Sequence, residues 1–376
     1  MPGGVLISLS HQNKGDFDMN KKVKKAFRIL GIVILSFFAV VIILMTALCI
    51  YHQCKLKKER NLIKHLAGQY VEVDGDNLNV YVEGEGDKTL VFLAGYGTPS
   101  PIFDFKPLYE KLSDKYRIVV IEKFGYGYSD EQEGERSLDI VVDQHREALK
   151  NLGLEGPFIL TAHSAGGAEA IWWAQHYPEE VEAIIGLDCN VPEQYDAYKV
   201  PADFNAMKPQ NVEECISGMA AYDFFNYQIG LIRFMPMPPA ASSGALTEEE
   251  REQYKALGYV MYCKGSGATF QRETIMTEQA LKAMREYHDG PIPDVPTLLF
   301  VSDGSVMKQV MEPEEWIRIH ENYVSNISNG KLIQLDCGHY VHAERPEKIA
   351  SAMISFLDGL SKTSETSQSD AAREGK

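Results

Sequence analysis

The sequence predicts an α/β fold, with a mostly parallel eight-stranded sheet, helices on both faces, a helical insertion and one transmembrane helix ahead of it. Three observations carry this. From Gln69 to Leu360, short apolar runs alternate with helix-length stretches, as in a sheet buried on both faces. Between Asn190 and Pro296 that rhythm stops for more than a hundred residues. Ile29–Ile50 (ILGIVILSFFAVVIILMTALCI) is 22 residues without a charge, about 33 Å as a helix and long enough to cross a hydrocarbon core.

The elements follow in order. Residues 1–28 form a basic N-terminal segment, in which Met19-Asn20-Lys21-Lys22 also reads as a start. Residues 29–50 are the span: the apolar run exceeds a signal peptide's, and Thr46-Ala47-Leu48-Cys49 is a poor cleavage site. The KKVKK cluster before it favours a cytoplasmic N-terminus and a body outside the cytoplasm. Residues 51–68 read as a basic juxtamembrane linker. Gln69–Val73 and Leu78–Glu83, joined by Asp74-Gly75-Asp76-Asn77, read as a hairpin. Thr89–Leu93, Arg117–Ile121, Phe158–Thr161, Val181–Leu187, Thr297–Val301 and Leu332–Leu335 read as buried strands. Phe103–Asp114, Ser137–Asn151, Gly166–Tyr177 and Pro346–Leu360 are the helices between and after them, with Ser137 a candidate cap and Pro346 a first-turn proline. Residues 69–189 and 296–360 thus form the core. Residues 190–295 form a helical cap, with helices expected at Glu248–Tyr262 and Thr274–Tyr287, and 361–376 a disordered tail.

Formal net charge is −16, unevenly spread. Residues 1–65 carry +8 and the remainder −24, so the acidic body excludes a nucleic-acid backbone as main partner. The basic head suits anionic lipid headgroups. The six cysteines contain no C-x-x-C pair, so no structural zinc site is expected; Cys215 and Cys263 are candidates for pairing in an oxidising compartment.

The chemistry centres on Phe158-Ile159-Leu160-Thr161-Ala162-His163-Ser164-Ala165-Gly166-Gly167. A buried strand enters a sharp turn at Ser164, and small residues lead into a helix. Such a turn lifts a serine hydroxyl above the sheet and aims helix N-terminal N–H groups at a substrate oxygen. A serine hydroxyl needs a base. His339, in Leu335-Asp336-Cys337-Gly338-His339, follows the last strand and returns to the same sheet edge; His342 is its local rival.

These motifs resemble the α/β-hydrolase superfamily from about Gln69 to Leu360, and the Gly338-His339…Glu344-Arg345-Pro346 run is similar to that family's histidine loop. Ala162 stands where the family's elbow has its first glycine. The resemblance implies an oxyanion hole from the backbone N–H groups of Ala165 and of Tyr96, in Ala94-Gly95-Tyr96-Gly97. It makes Lys123-Phe124-Gly125-Tyr126-Gly127-Tyr128-Ser129-Asp130 a structural turn. Its chain order admits two acids: Asp188 at the end of Val181–Leu187, which is preferred, and Asp303 after Thr297–Val301, where Ser305 occupies the family's more usual acid position.

The expected activity is hydrolysis of a carboxylic ester of a small to medium apolar substrate through an acyl-enzyme on Ser164. Phe224, Phe225, Tyr227, Phe234, Met235 and Met237 give the insertion an apolar character suited to it. The alternatives are an aminopeptidase or amide hydrolase of the same fold, and an inactive membrane-tethered binding protein. Small-molecule substrate and membrane lipid are the expected partners; no cofactor or metal is expected.

Overall fold

Helix α1, Lys21–Leu62, starts in the KKVKK cluster and carries the entire uncharged run. The computed structural model describes residues 21–132, 136–194, 224–264, 293–309 and 311–374, and the chain divides into two units, Met1–Tyr51 and His52–Lys376. In the first, large apolar side chains such as Ile29, Leu35, Phe37 and Ile43 are exposed. The helix is long and apolar enough to cross a membrane, where its backbone bonds are satisfied internally.

In the second unit eight strands form one sheet in the order β1-β2-β4-β3-β5-β6-β7-β8. They are β1 Gln69–Val73, β2 Asp76–Glu83, β3 Thr89–Leu93, β4 Arg117–Glu122, β5 Phe158–His163, β6 Val181–Leu187, β7 Thr297–Val301 and β8 Gly330–Gln334. β1–β2 and β2–β4 pair antiparallel; the pairs from β4–β3 to β7–β8 are parallel. The hairpin turn is Asp74-Gly75, both at positive φ, so β2 starts two residues before its predicted position.

The sheet is apolar on both faces because helices cover both. Along β3, Leu90 and Phe92 join the cluster under α2 (Pro101–Tyr109), while Val91 and Leu93 join the opposite one under α3 (Leu138–Asn151) and α4 (Gly166–His176). Each fully buried side chain of this kind contributes about 1.5–3 kcal/mol. The insertion's described part is a π turn, Phe224–Gln228, two 3₁₀ turns and helix α5, Glu248–Lys264. The helix expected at Thr274–Tyr287 and Cys215 lie outside the described residues. Helices α6 (Pro313–Ser325), α7 (Val341–Glu344) and α8 (Pro346–Glu374) complete the body.

Two expectations are corrected. The segment read as a linker after the span is packed: α1 continues to Leu62, with His52 and Leu56 buried. His52 Nε2–H donates to Tyr227 O at 2.9 Å, and Arg233 bonds Glu59 at 2.7 Å. Gly230 makes room, since a Cβ there would lie 2.4 Å from the His52 ring. The His52–Leu56 spacing of one helical turn puts both on one face, but the surrounding lysines mask it in sequence. The tail expected to be disordered from Ser361 instead continues α8 to Glu374.

Candidate active site

Only Ser164 and Ala165 separate β5 from α4. Ser164 has φ +52°, a left-handed conformation that costs a non-glycine residue about 1–3 kcal/mol unless its surroundings hold it. They do: Ser164 O accepts the N–H groups of Asn190 at 2.8 Å and Gly167 at 3.0 Å. Small neighbours are obligatory. A Cβ at Gly166 would stand 2.5 Å from Leu93 O, and one at Gly95 would stand 2.7 Å from Ser164 Cβ. Ala162, the departure from the family pattern, is fully buried and pairs with Gly186 on β6.

Asp188 ends β6, buried and at φ +48°. Its Oδ2 accepts His339 Nδ1–H at 2.6 Å; its Oδ1 accepts Ser302 N–H at 2.8 Å and Trp316 Nε1–H at 2.9 Å. Burial alone would raise this carboxyl's pKa. The hydrogen bond and charge of His339, with the Ser302 and Trp316 bonds, outweigh that and hold it below the ordinary carboxylate value. Because a carboxylate only accepts, the contact fixes the proton on Nδ1 and leaves Nε2 as the basic nitrogen. Asp303 is elsewhere: its Oδ1 accepts the Ser305 N–H at 2.8 Å, closing the 3₁₀ turn Ser305–Gln309, with Ser305 itself exposed. Thus Asp188, and neither Asp303 nor Ser305, meets the His339 ring.

The His339 loop is tied to the elbow by the residue before Ser164. His163 Nε2–H donates to His339 O at 3.2 Å, and the two rings lie 4.7 Å apart. Burial, then the neighbouring His342 and His339, push His163 well below the ordinary histidine pKa, so it stays neutral. Ser164 and His339 are both partly exposed, while Asp188 is not. Two reachable groups are thus backed by a dry carboxylate. His342, the rival base, is fully buried, and its Nε2–H donates to Asp104 Oδ2 at 2.9 Å.

The loop after β3 lies against the elbow through Gly95, the residue before Tyr96. Thr98 Oγ1–H donates to Gly95 O at 3.2 Å, and Gly97 N–H donates to Tyr126 OH at 3.1 Å. The Lys123–Asp130 turn therefore buttresses this loop. Of the apolar insertion residues, Tyr227 is buried on His52, while Phe224, Phe225, Phe234 and Met235 are exposed. Asp104, His163 and His342 bring metal-type donor atoms within 4.8 Å of one another, but both Asp104 oxygens already accept hydrogen bonds, from Tyr254 and His342. Sequence reading missed Trp316 and Ser302 as partners of Asp188. One of three tryptophans, Trp316 sits 128 residues away from Asp188, and no spacing rule links them.

Residues 88–219 match the alpha/beta hydrolase fold family. The uncharacterized protein YbdG of Bacillus subtilis (strain 168) is 30% identical over 339 residues, covering 89% of this chain and 99% of YbdG. Among solved structures, epoxide hydrolase VrEH1 from Vigna radiata aligns with TM-score 0.58 and 20% identity over 80% of this chain and 99% of that one. Est816, described as an N-acyl homoserine lactone degrading enzyme, aligns with TM-score 0.51 and 18% identity over 77% of this chain and 100% of that one. The chain belongs to the alpha/beta hydrolase family. It is a hydrolase by that membership, and the low-identity structures bear on its fold alone.

Proposed function

We propose that this protein is a serine hydrolase that cleaves carboxylic esters of small to medium apolar substrates. The observation that carries the reading is the 2.6 Å contact from His339 Nδ1 to Asp188, beside a serine held at the left-handed turn between β5 and α4. In this mechanism Ser164 Oγ attacks the ester carbonyl carbon while its proton passes to His339 Nε2, and Asp188 stabilises the resulting imidazolium. Negative charge on the carbonyl oxygen is met by the N–H groups of Ala165 and Tyr96, each such donor typically worth about 3 kcal/mol of barrier. His339 then protonates the leaving alkoxide. Water, deprotonated by His339, attacks the acyl-enzyme and releases the acid with Ser164 restored.

A hydroxyl at position 164, rather than a carboxylate, favours acyl transfer over the epoxide hydrolysis named for VrEH1. The ester-bond chemistry of lactone opening is closer to this reading. The apolar helix Ile29–Ile50 is proposed as a single membrane span with the hydrolase body outside the cytoplasm and lipid as its partner. The test is a fluorophosphonate probe together with p-nitrophenyl esters of rising chain length and aminoacyl anilides, on the full chain in vesicles. Labelling and ester turnover that both vanish in Ser164→Ala support the proposal. Labelling unchanged in Ser164→Ala overturns it, as does turnover of anilides alone.

A further inference from the structure

Asp104 lies on α2, the helix that leaves the Gly95–Ser100 loop, and is fully buried. Its Oδ1 accepts Tyr254 OH at 2.6 Å, from α5 in the insertion. Its Oδ2 accepts His342 Nε2–H at 2.9 Å, three residues beyond His339. The His342 ring packs edge-on to His163 at 4.6 Å, and His163, the neighbour of Ser164, donates to His339 O. One carboxylate therefore joins the helix after the oxyanion loop, the histidine loop and the cap. Desolvating a carboxylate is expensive, and an apolar side chain would fill this space at less cost. What the carboxylate alone does here is accept two donors from opposite sides at once, since an amide presents one acceptor and one donor group.

On the serine-hydrolase reading above, we infer that Asp104 is a positioning residue. It holds the His339 loop in register with Ser164 through His342 and His163, and it ties the seating of the insertion to that register through Tyr254. The base is then aligned when α5 is docked on α2. Loss of Asp104 displaces His339 relative to Ser164 without touching the substrate, so its effect falls on turnover. Loss of the Tyr254 hydroxyl loosens the cap, so its effect falls first on substrate binding.

The experiment measures kcat and KM on short- and long-chain p-nitrophenyl esters for the full chain and for Asp104→Asn, His342→Gln, His342→Phe, Tyr254→Phe and Ser164→Ala, with the thermal midpoint of each. In Asp104→Asn and His342→Phe, kcat is expected to fall about 100-fold, the scale of an ångström's misplacement, with KM little changed. His342→Gln keeps an N–H for Oδ2 and is expected to recover most of the loss seen in His342→Phe. In Tyr254→Phe, KM for the long-chain ester is expected to rise more than kcat falls. The inference is overturned if folded Asp104→Asn keeps kcat within about threefold of the parent, or if its loss appears in KM. Should Asp104→Asn fail to fold, equal kcat in the two His342 variants overturns the inference instead. Full activity in Ser164→Ala overturns the hydrolase reading itself, whereas an inert Ser164→Ala beside a fully active Asp104→Asn removes the positioning role alone.

Discussion

Asp188→Asn exchanges one carboxylate oxygen for an amide NH₂ and, on the proposed mechanism, reverses the polarity of the His339 ring. Asp188 receives three hydrogen bonds in a site with no solvent: His339 Nδ1 at 2.6 Å, Ser302 N at 2.8 Å and Trp316 Nε1 at 2.9 Å. An asparagine oxygen can keep the Ser302 and Trp316 donors, so its amide NH₂ faces His339. Nδ1 must then accept, the ring proton moves to Nε2, and a donor replaces the lone pair that should take the Ser164 proton. The expected loss in kcat is about 10⁴-fold, or about 5.5 kcal/mol of barrier, while stability falls by about 1–2 kcal/mol. Alanine would be a poorer probe, because it strands two buried N–H donors at about 1–3 kcal/mol each. Asp303→Asn is the control: Asp303 accepts one backbone N–H in a partly exposed loop, a bond an asparagine oxygen also accepts, so the rate should stay within about threefold. The assay is kcat/KM on a p-nitrophenyl ester alongside the fluorophosphonate labelling rate. Asp188→Asn activity within about tenfold of the parent, or an equal loss in Asp303→Asn, refutes the role given to Asp188.

Two further outcomes are expected. Gly95→Ala places a methyl 2.7 Å from Ser164 Cβ, so either the Gly95 loop or the elbow must shift; on the proposed mechanism kcat should drop about 100-fold with a small change in thermal midpoint, and a fully active variant would contradict the close approach. Stability should fall on acidification: burial first, then Lys123 and Arg136, bring His145 down to about 3, against about 6.5 unfolded. Between those values the unfolded chain binds a proton that the folded chain refuses, so stability rises with pH there and is lost as pH falls. His145 alone should contribute about 1.6 kcal/mol of loss from pH 6.5 to pH 5. Urea midpoints at several pH values check this, and His145→Phe should flatten the slope; an identical slope in that variant would refute the assignment.

The sheet was legible in the sequence because its strands are buried on both faces. Thr89–Leu93 and Val181–Leu187 are predominantly apolar, the second broken by Glu182, and occur with the bounds expected from the sequence. Edge strands were less legible: β8 is solvent-facing at several positions, so Gly330 and Lys331 carried no apolar signal and its start was placed late. Ser164 and His339 stood out in the sequence as candidates because glycines and strand ends bracket them. Asp188 was preferred over Asp303 as the partner of His339 only narrowly, since both follow strands, and the ring does meet Asp188. The deciding facts are a backbone N–H and an indole N–H that converge on Asp188, from positions 114 and 128 residues away.

The same long-range logic explains why the end of α1 misled. Charge dominates Lys55, Lys57, Lys58 and Arg60, and a basic run after an apolar span ordinarily reads as a solvated tether. Yet an amphipathic helix needs only one residue per turn to dock, and here His52, Leu56 and Glu59 supply it. His52 is seated on Tyr227, Leu56 is buried, and Glu59 is paired with Arg233. These last turns of α1 are thus bonded to the insertion within the body, so substitution of Arg233 or Glu59 acts on the cap before it acts on the sheet.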